Sequence, residues 1–200
     1  VNDLTFCMPV YNGAATIKMS LTRIHQQGIL GPNVLVNLTW SLDGTAELLA
    51  ALIKYDWFKG MEINVFSGPR PDSLPGKVPA HASRYIALAR KQLVDRVTTP
   101  FLMFVDCDVL LWPDTVLTLL KEIREDEAIG MLGIPYNGSN HVQMGATILR
   151  TIIARELDWN VEDKGCDCGH IASQLKTRGL KVIHSKVERA RHLTFDRVGQ

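Results

Sequence analysis

The sequence predicts an α/β protein, a single α/β/α sandwich around a mostly parallel central sheet. Short strand-like runs alternate with helical stretches, an order that implies parallel strands joined by crossover helices. The 200 residues, 46% hydrophobic and 22% charged, suffice for one filled core. Aspartates fall where strand-like runs end, the edge at which such sheets hold ligands.

The elements follow in order. "LTFCMPV" (4–10) has strand composition and is closed by "YNG", whose Asn-Gly pair signals a turn. Residues 14–27 carry a loose helical stripe of Ala15, Ile17, Met19, Leu21 and Ile24, stopped by Gly28. "NVLVNLTWSLDG" (33–44) is a second strand run ending in aspartate and glycine. "TAELLAALIKYDWF" (45–58) is a helix with Thr45 as its expected N-cap, and "MEINVFS" (61–67) is a third strand.

"GPRPDSLPGKVPAH" (68–81), with four prolines and two glycines, reads as a long functional loop. "ASRYIALARKQLVDRV" (82–97) is a helix expected to bury Ile86, Leu88, Ala89, Leu93, Val94 and Val97 and to keep its arginines outside. A strand follows in "FLMFVDCDVLLWPDTV" (101–116). Pro113 and Asp114 then sit where a helix start prefers proline and acid. "AIGMLGIPY" is another strand, "GATILRTIIARE" strand or helix, "HIASQLKTRG" a helix closed by Gly179, and "LKVIHS" a last strand.

A net charge of +1 provides no long-range field for nucleic acid or a membrane surface, so an anionic ligand must be held by local groups. No apolar run approaches the roughly 20 residues of a transmembrane helix. The chain begins Val1-Asn2 with no signal-peptide pattern, as expected of a trimmed or excised piece of a longer protein. The spacing of Cys7, Cys107, Cys166 and Cys168 suggests no disulfide framework, which favours a reducing, cytoplasmic setting. The cluster "CDCGH" (Cys166, Cys168, His170) invites a zinc reading, but structural zinc sites usually combine two separated ligand pairs and no second pair is evident.

The chemistry centres on "FVDCDV". Residues two apart in a strand share a face, so Asp106 and Asp108 present both carboxylates to one spot at the strand's end. Two convergent carboxylates repel, and a divalent cation, Mn²⁺ or Mg²⁺, would keep both ionised beside a diphosphate. The alternative is structural, with one aspartate capping the turn and the other the helix after Pro113.

"TFCMPVYNG", "SLDG", "SRYIALA", "FVDCDVLLWPDTV" and "GCDCGHIASQLKTRGLKV" together resemble, in order and rough spacing, the nucleotide-diphospho-sugar glycosyltransferases of the GT-A fold, family 2 above all. The resemblance covers nearly the whole chain. It implies one domain over 1–200, with a nucleotide-binding half (1–108) and an acceptor and catalytic half (109–200). The implied function is metal-dependent, inverting transfer of a sugar from a nucleotide diphosphate sugar to a glycan, lipid or protein hydroxyl.

The resemblance also implies residue roles. Pro9, Val10 and Tyr11 would line the nucleoside pocket, Asp43 would bond the base edge and Arg84 would contact the nucleotide. Asp106 would meet the ribose and a metal water, Asp108 the metal itself, and Cys107 would be the small spacer within the same nucleotide-sugar turn. His192 falls where related enzymes place a histidine that completes the metal site. The base that takes the acceptor's proton is Asp167, if "GCDCGH" replaces the family's "GEDxDL", or Asp163 in the literal "ED". The long proline-rich loop and "YNGSNHVQMG" are candidate lids.

Two other readings remain at this stage. "FVDCDV" also resembles the first motif of haloacid-dehalogenase-like phosphotransferases, which would make Asp106 a phosphorylated nucleophile and Asp108 a general acid. A non-catalytic nucleotide-sugar-binding module is the third, supported by the altered "ED" motif.

Overall fold

The structure, a computed structural model, describes residues 3–68, 82–135, 141–161, 166–186 and 190–193. Asp163, residues 69–81 of the proline-rich loop and residues 136–140 of the second candidate lid lie outside the described residues.

The strands are β1 (Leu4–Val10), β2 (Asn33–Leu38), β3 (Glu62–Ser67), β4 (Phe101–Val105), β5 (Val109–Leu111), β6 (Ile129–Gly133), β7 (Ala146–Arg150), β8 (Lys181–His184) and β9 (Ala190–His192). The α-helices are α1 (Ile17–His25), α2 (Thr45–Ile53), α3 (Ala82–Arg96), α4 (Thr115–Glu125), α5 (Thr151–Arg155) and α6 (Asp167–Thr177). Seven strands form one sheet in the order β3-β2-β1-β4-β7-β6-β8, and β5 pairs with β9 in a separate ribbon. Within the large sheet only β7 runs against its neighbours; the pairs among β1, β2, β3 and β4 and the β6–β8 pair are parallel. This is the expected α/β/α sandwich. No helix among the described residues is long and apolar enough to cross a membrane.

The period of two along the strands divides the core. In β4, Phe101, Met103 and Val105 join one apolar cluster with Ile17, Leu21 and Ile24 of α1 and Val116, Leu119 and Ile123 of α4. Leu102 and Phe104 face the other way, packing with Leu93 and Val94 of α3 and Ile171 and Leu175 of α6. All five β4 residues are buried, so the strand is apolar on both faces, as a central strand covered by two helical layers must be.

Several local expectations change. The stripe of α1 is Ile17, Ser20, Leu21 and Ile24, while Met19 is exposed, because the helical period places it away from that stripe. Gly44, in the left-handed region, precedes α2, so Thr45 is its first residue rather than its N-cap. Asp114 does precede α4, but in a left-handed conformation and without a side-chain cap bond. "GATILRTIIARE" is both strand and helix, β7 passing directly into α5. β5 and β9 were not expected as a ribbon. On α3, Ile86 is exposed and Arg90 is buried, reversing the expected inside and outside at these two positions.

Candidate nucleotide-sugar and metal site

The parallel strands β1 and β4 deliver Tyr11 and Asp106 to the same edge of the sheet. The loops after β1 and β2 are bonded together there. Asn12, with a positive φ, donates its N–H to Ser41 Oγ at 2.9 Å and accepts from the Leu42 N–H at 2.9 Å. Asp43 Oδ2 accepts from the Ala14 N–H at 2.9 Å, and its Oδ1 takes the N–H and hydroxyl of Thr45. Burial of Asp43 opposes its charge, but these hydrogen bonds outweigh it and hold the carboxyl below its ordinary value. Pro9 and Tyr11 are half-buried and Val10 is buried.

The turn that carries the two aspartates is fixed from three sides. Asp106 donates its N–H to the Gly145 carbonyl at 3.0 Å and accepts from the Val109 N–H at 3.0 Å. The Ser20 hydroxyl on α1 reaches the carbonyl oxygens of Cys107 (2.7 Å) and Val109 (3.1 Å). A Cβ on Gly13 would stand 3.0 Å from Cys107 Sγ and 3.1 Å from Val10 Cγ1, so Gly13 and Cys107 are in close contact. Burial, with Asp108 and Asp106 beside it, pushes the Cys107 thiol up to about 12, so this cysteine packs rather than reacts.

The Asp106 side chain pairs with a buried guanidinium, and the residue that precedes α4 is Asp114. Arg90 donates Nη2 to Asp106 Oδ1 at 2.6 Å and Nη1 to Asp167 Oδ2. Its Cζ lies 5.5 Å from the centre of the Phe104 ring, which meets Trp159 edge to face. Burial opposes the guanidinium charge, yet Asp106 and Asp167 overcome it and hold Arg90 above its ordinary value. Asn37 at the end of β2 anchors this part of α3, donating to the Ala89 carbonyl (3.1 Å) and to Gln92 (2.9 Å).

Asp108 takes a different partner. The β5–β9 ribbon sets Val109 opposite His192, the Leu193 N–H donates to the Asp108 carbonyl at 2.7 Å, and His192 Nε2 lies 3.3 Å from Asp108 Oδ2. Burial, then the charge of Asp106, raises the Asp108 carboxyl above its ordinary value; His192 and Arg90 offset this only in part.

The donor chemistry fits a divalent cation. Asp108 and His192 converge with one carboxylate and one imidazole, a set that Mn²⁺ accepts. Asp106, Asp108 and Asp167 carry three negative charges against the single positive charge of Arg90, a deficit that a divalent ion matches. One oxygen of Asp106 is committed to Arg90.

The structure thus gathers Asp106, Asp108, Asp167 and His192, with Cys107 inside the turn. Arg84, in the first turn of α3, is exposed. Arg90 and Ser20 went unrecognised in the sequence, although each interrupts an apolar stripe: Arg90 between Ala87 and Leu93–Val94, and Ser20 between Ile17 and Leu21.

A mostly parallel seven-stranded sheet flanked by helices, with an Asp-Cys-Asp turn at the end of a central strand, is the architecture of the GT-A fold. The sequence model of glycosyl transferase family 2 matches residues 5–177, and the chain belongs to that family. Comparison with curated protein sequences gives no match.

Solved structures share the fold. The mannosyltransferase PcManGT from Pyrobaculum calidifontis, in complex with GDP-Man and Mn²⁺, superposes with a TM-score of 0.72 at 18% identity, over 98% of this chain and 58% of that one. S. aureus TarS gives 0.70 at 14% identity, over 96% and 37%. Glucosyl-3-phosphoglycerate synthase from Mycobacterium tuberculosis, in complex with Mn²⁺, UDP and phosphoglyceric acid, gives 0.62 at 16% identity, over 92% and 67%. The chain therefore spans 37% to 67% of the length of these proteins.

Proposed function

We propose that the protein transfers a sugar from a nucleotide diphosphate sugar to the hydroxyl of a glycan, lipid or protein acceptor, with inversion at the anomeric carbon. The carrying observation is the ion-paired triad Asp106–Arg90–Asp167, set beside the Asp108–His192 pair at the carboxyl edge of the sheet. Family membership and the nucleotides and Mn²⁺ bound by the solved relatives support the same reading.

In this reading Pro9, Val10 and Tyr11 line the nucleoside pocket, Asp43 meets the base edge and Arg84 contacts the nucleotide. Asp108 and His192 would hold Mn²⁺ or Mg²⁺, and Asp106 would serve the ribose and the hydration of the cation. When bound, the cation would neutralise charge developing on the leaving diphosphate. Arg90 compensates the charges of Asp106 and Asp167 and fixes their separation, so that donor and acceptor sides share one rigid link.

Asp167 is the base that accepts the acceptor hydroxyl's proton as that oxygen attacks the anomeric carbon. It is buried at the start of α6, with Oδ2 on Arg90 and Oδ1 accepting the Cys168 N–H at 2.9 Å, which fixes its orientation. The four free cysteines accord with a reducing, cytoplasmic setting. The phosphotransferase alternative loses its support, because the chain belongs to another family.

The test is release of nucleoside diphosphate from a panel of nucleotide sugars with Mn²⁺ and a mixture of acceptors. Asp167→Asn should cut turnover by about 10²–10⁴-fold with donor binding largely retained. If Asp163→Asn does so and Asp167→Asn does not, the base is Asp163. A panel in which no donor is turned over or bound overturns the reading.

A further inference from the structure

We propose a second metal site, separate from the Asp108–His192 pair, in which His141, Cys166 and Cys168 bind a thiophilic cation of the Zn²⁺ class. The ligand atoms of all three residues lie within 4.8 Å of one another. His141 Nε2 is 3.1 Å from Cys168 Sγ and 3.8 Å from Cys166 Sγ. Tetrahedral zinc, with Zn–S of about 2.3 Å and Zn–N of about 2.0–2.1 Å, requires an N···S separation of about 3.5 Å. The two distances bracket that value, so small side-chain rotations bring a cation into bonding range of all three.

His170, the histidine of the "CDCGH" motif, is not part of this site. Its Nε2 bonds the Asp158 carbonyl at 2.9 Å, and His141 approaches the two sulfurs instead. That explains why no second ligand group was legible: it is one residue, 25 positions before Cys166, brought in by the approach to β7.

The sulfurs are placed as ligands. Cys166 stands at the N-cap of α6, where its Sγ accepts the Gly169 N–H at 3.2 Å, and Cys168 is buried one step inside the helix. Binding of a cation replaces the thiol protons of both cysteines, since thiolate sulfur is the ligand. Two thiolates and an imidazole select Zn²⁺ over Mn²⁺ or Mg²⁺, which prefer oxygen. His141 and Cys166 are exposed, so the fourth position is open to water.

The cation would tie the segment before β7 to the first turn of α6, on both sides of Asp167. The consequence for Asp167 rests on the transferase reading; metal binding itself does not, so the two can fail separately.

The experiment uses the reduced chain, stripped with chelator, titrated with Co²⁺ and then back-titrated with Zn²⁺. One equivalent of Co²⁺ should give a thiolate-to-cobalt charge-transfer band that Zn²⁺ abolishes, and Zn²⁺ should raise the melting temperature by ligand linkage. Cys168→Ser and His141→Ala should each weaken Co²⁺ binding by at least about 100-fold, since even outer-shell changes cost 10–100-fold. Far-UV circular dichroism confirms that each variant is folded. Asp108→Ala should keep the band, because the Asp108–His192 pair offers no sulfur. Absence of a thiolate band, or a band that persists in folded Cys168→Ser, overturns the site.

Discussion

Arg90 Nη2 lies 2.6 Å from Asp106 Oδ1, and the same buried guanidinium holds Asp167 with its other nitrogen. One cation from the helix layer thereby joins the end of β4 to the start of α6. Replacing Arg90 by Met should cost about 3–5 kcal/mol, since it strands two carboxylates in a poorly solvated place. Urea unfolding measures the loss. Adding Asp106→Asn and Asp167→Asn to Arg90→Met should recover most of it, because the stranded charges are then gone.

Gly13 makes a close approach rather than a flexible joint. Gly13→Ala puts a methyl group 3.0 Å from Cys107 Sγ and 3.1 Å from Val10 Cγ1 and should cost about 1–3 kcal/mol through overpacking. The displaced turn carries Asp106 and Asp108, so nucleotide affinity should fall as well. Cys107→Ala in the same chain removes one of the two clashes and should restore part of both, measured by thermal unfolding and calorimetry.

Asp108 gives a prediction with opposite signs in two assays. Its carboxyl is raised by burial and by Asp106, so the folded protein binds that proton more tightly than the unfolded chain does. The associated stability is present at acid pH and is lost as pH rises through the folded pKa. At neutral pH without metal, Asp108→Asn should therefore raise the melting temperature. With Mn²⁺ and donor the same variant should lose that advantage and its turnover. Mn²⁺ affinity of the unmodified chain should fall with decreasing pH, beginning above the ordinary carboxylate range of about 3.9.

The sequence made the sheet legible because period-two burial and strand-helix alternation are local signals. The Asp-Cys-Asp turn was legible too, since charge within the run from Phe101 to Leu111 demands a compensating partner. The partner was not. Arg90 was assigned to the solvent with the other arginines of α3, although it lies on the face of Ala87, Leu93 and Val94, and only the tertiary approach of Asp167 explains a cation there. The β5–β9 ribbon escaped notice because three-residue strands carry almost no periodicity, so the place of His192 came from resemblance alone. His141 lacked any local signal, its partners being 25 and 27 residues away.

The most direct measurement is calorimetric titration of the protein with nucleotide diphosphate sugars, in Mn²⁺ and in excess chelator. If Asp108 and His192 hold the diphosphate through a divalent cation, at least one donor binds in Mn²⁺, binding is lost in chelator, and His192→Ala weakens it by about tenfold or more. Equal donor affinity in chelator, or full affinity in Asp108→Ala, contradicts that claim.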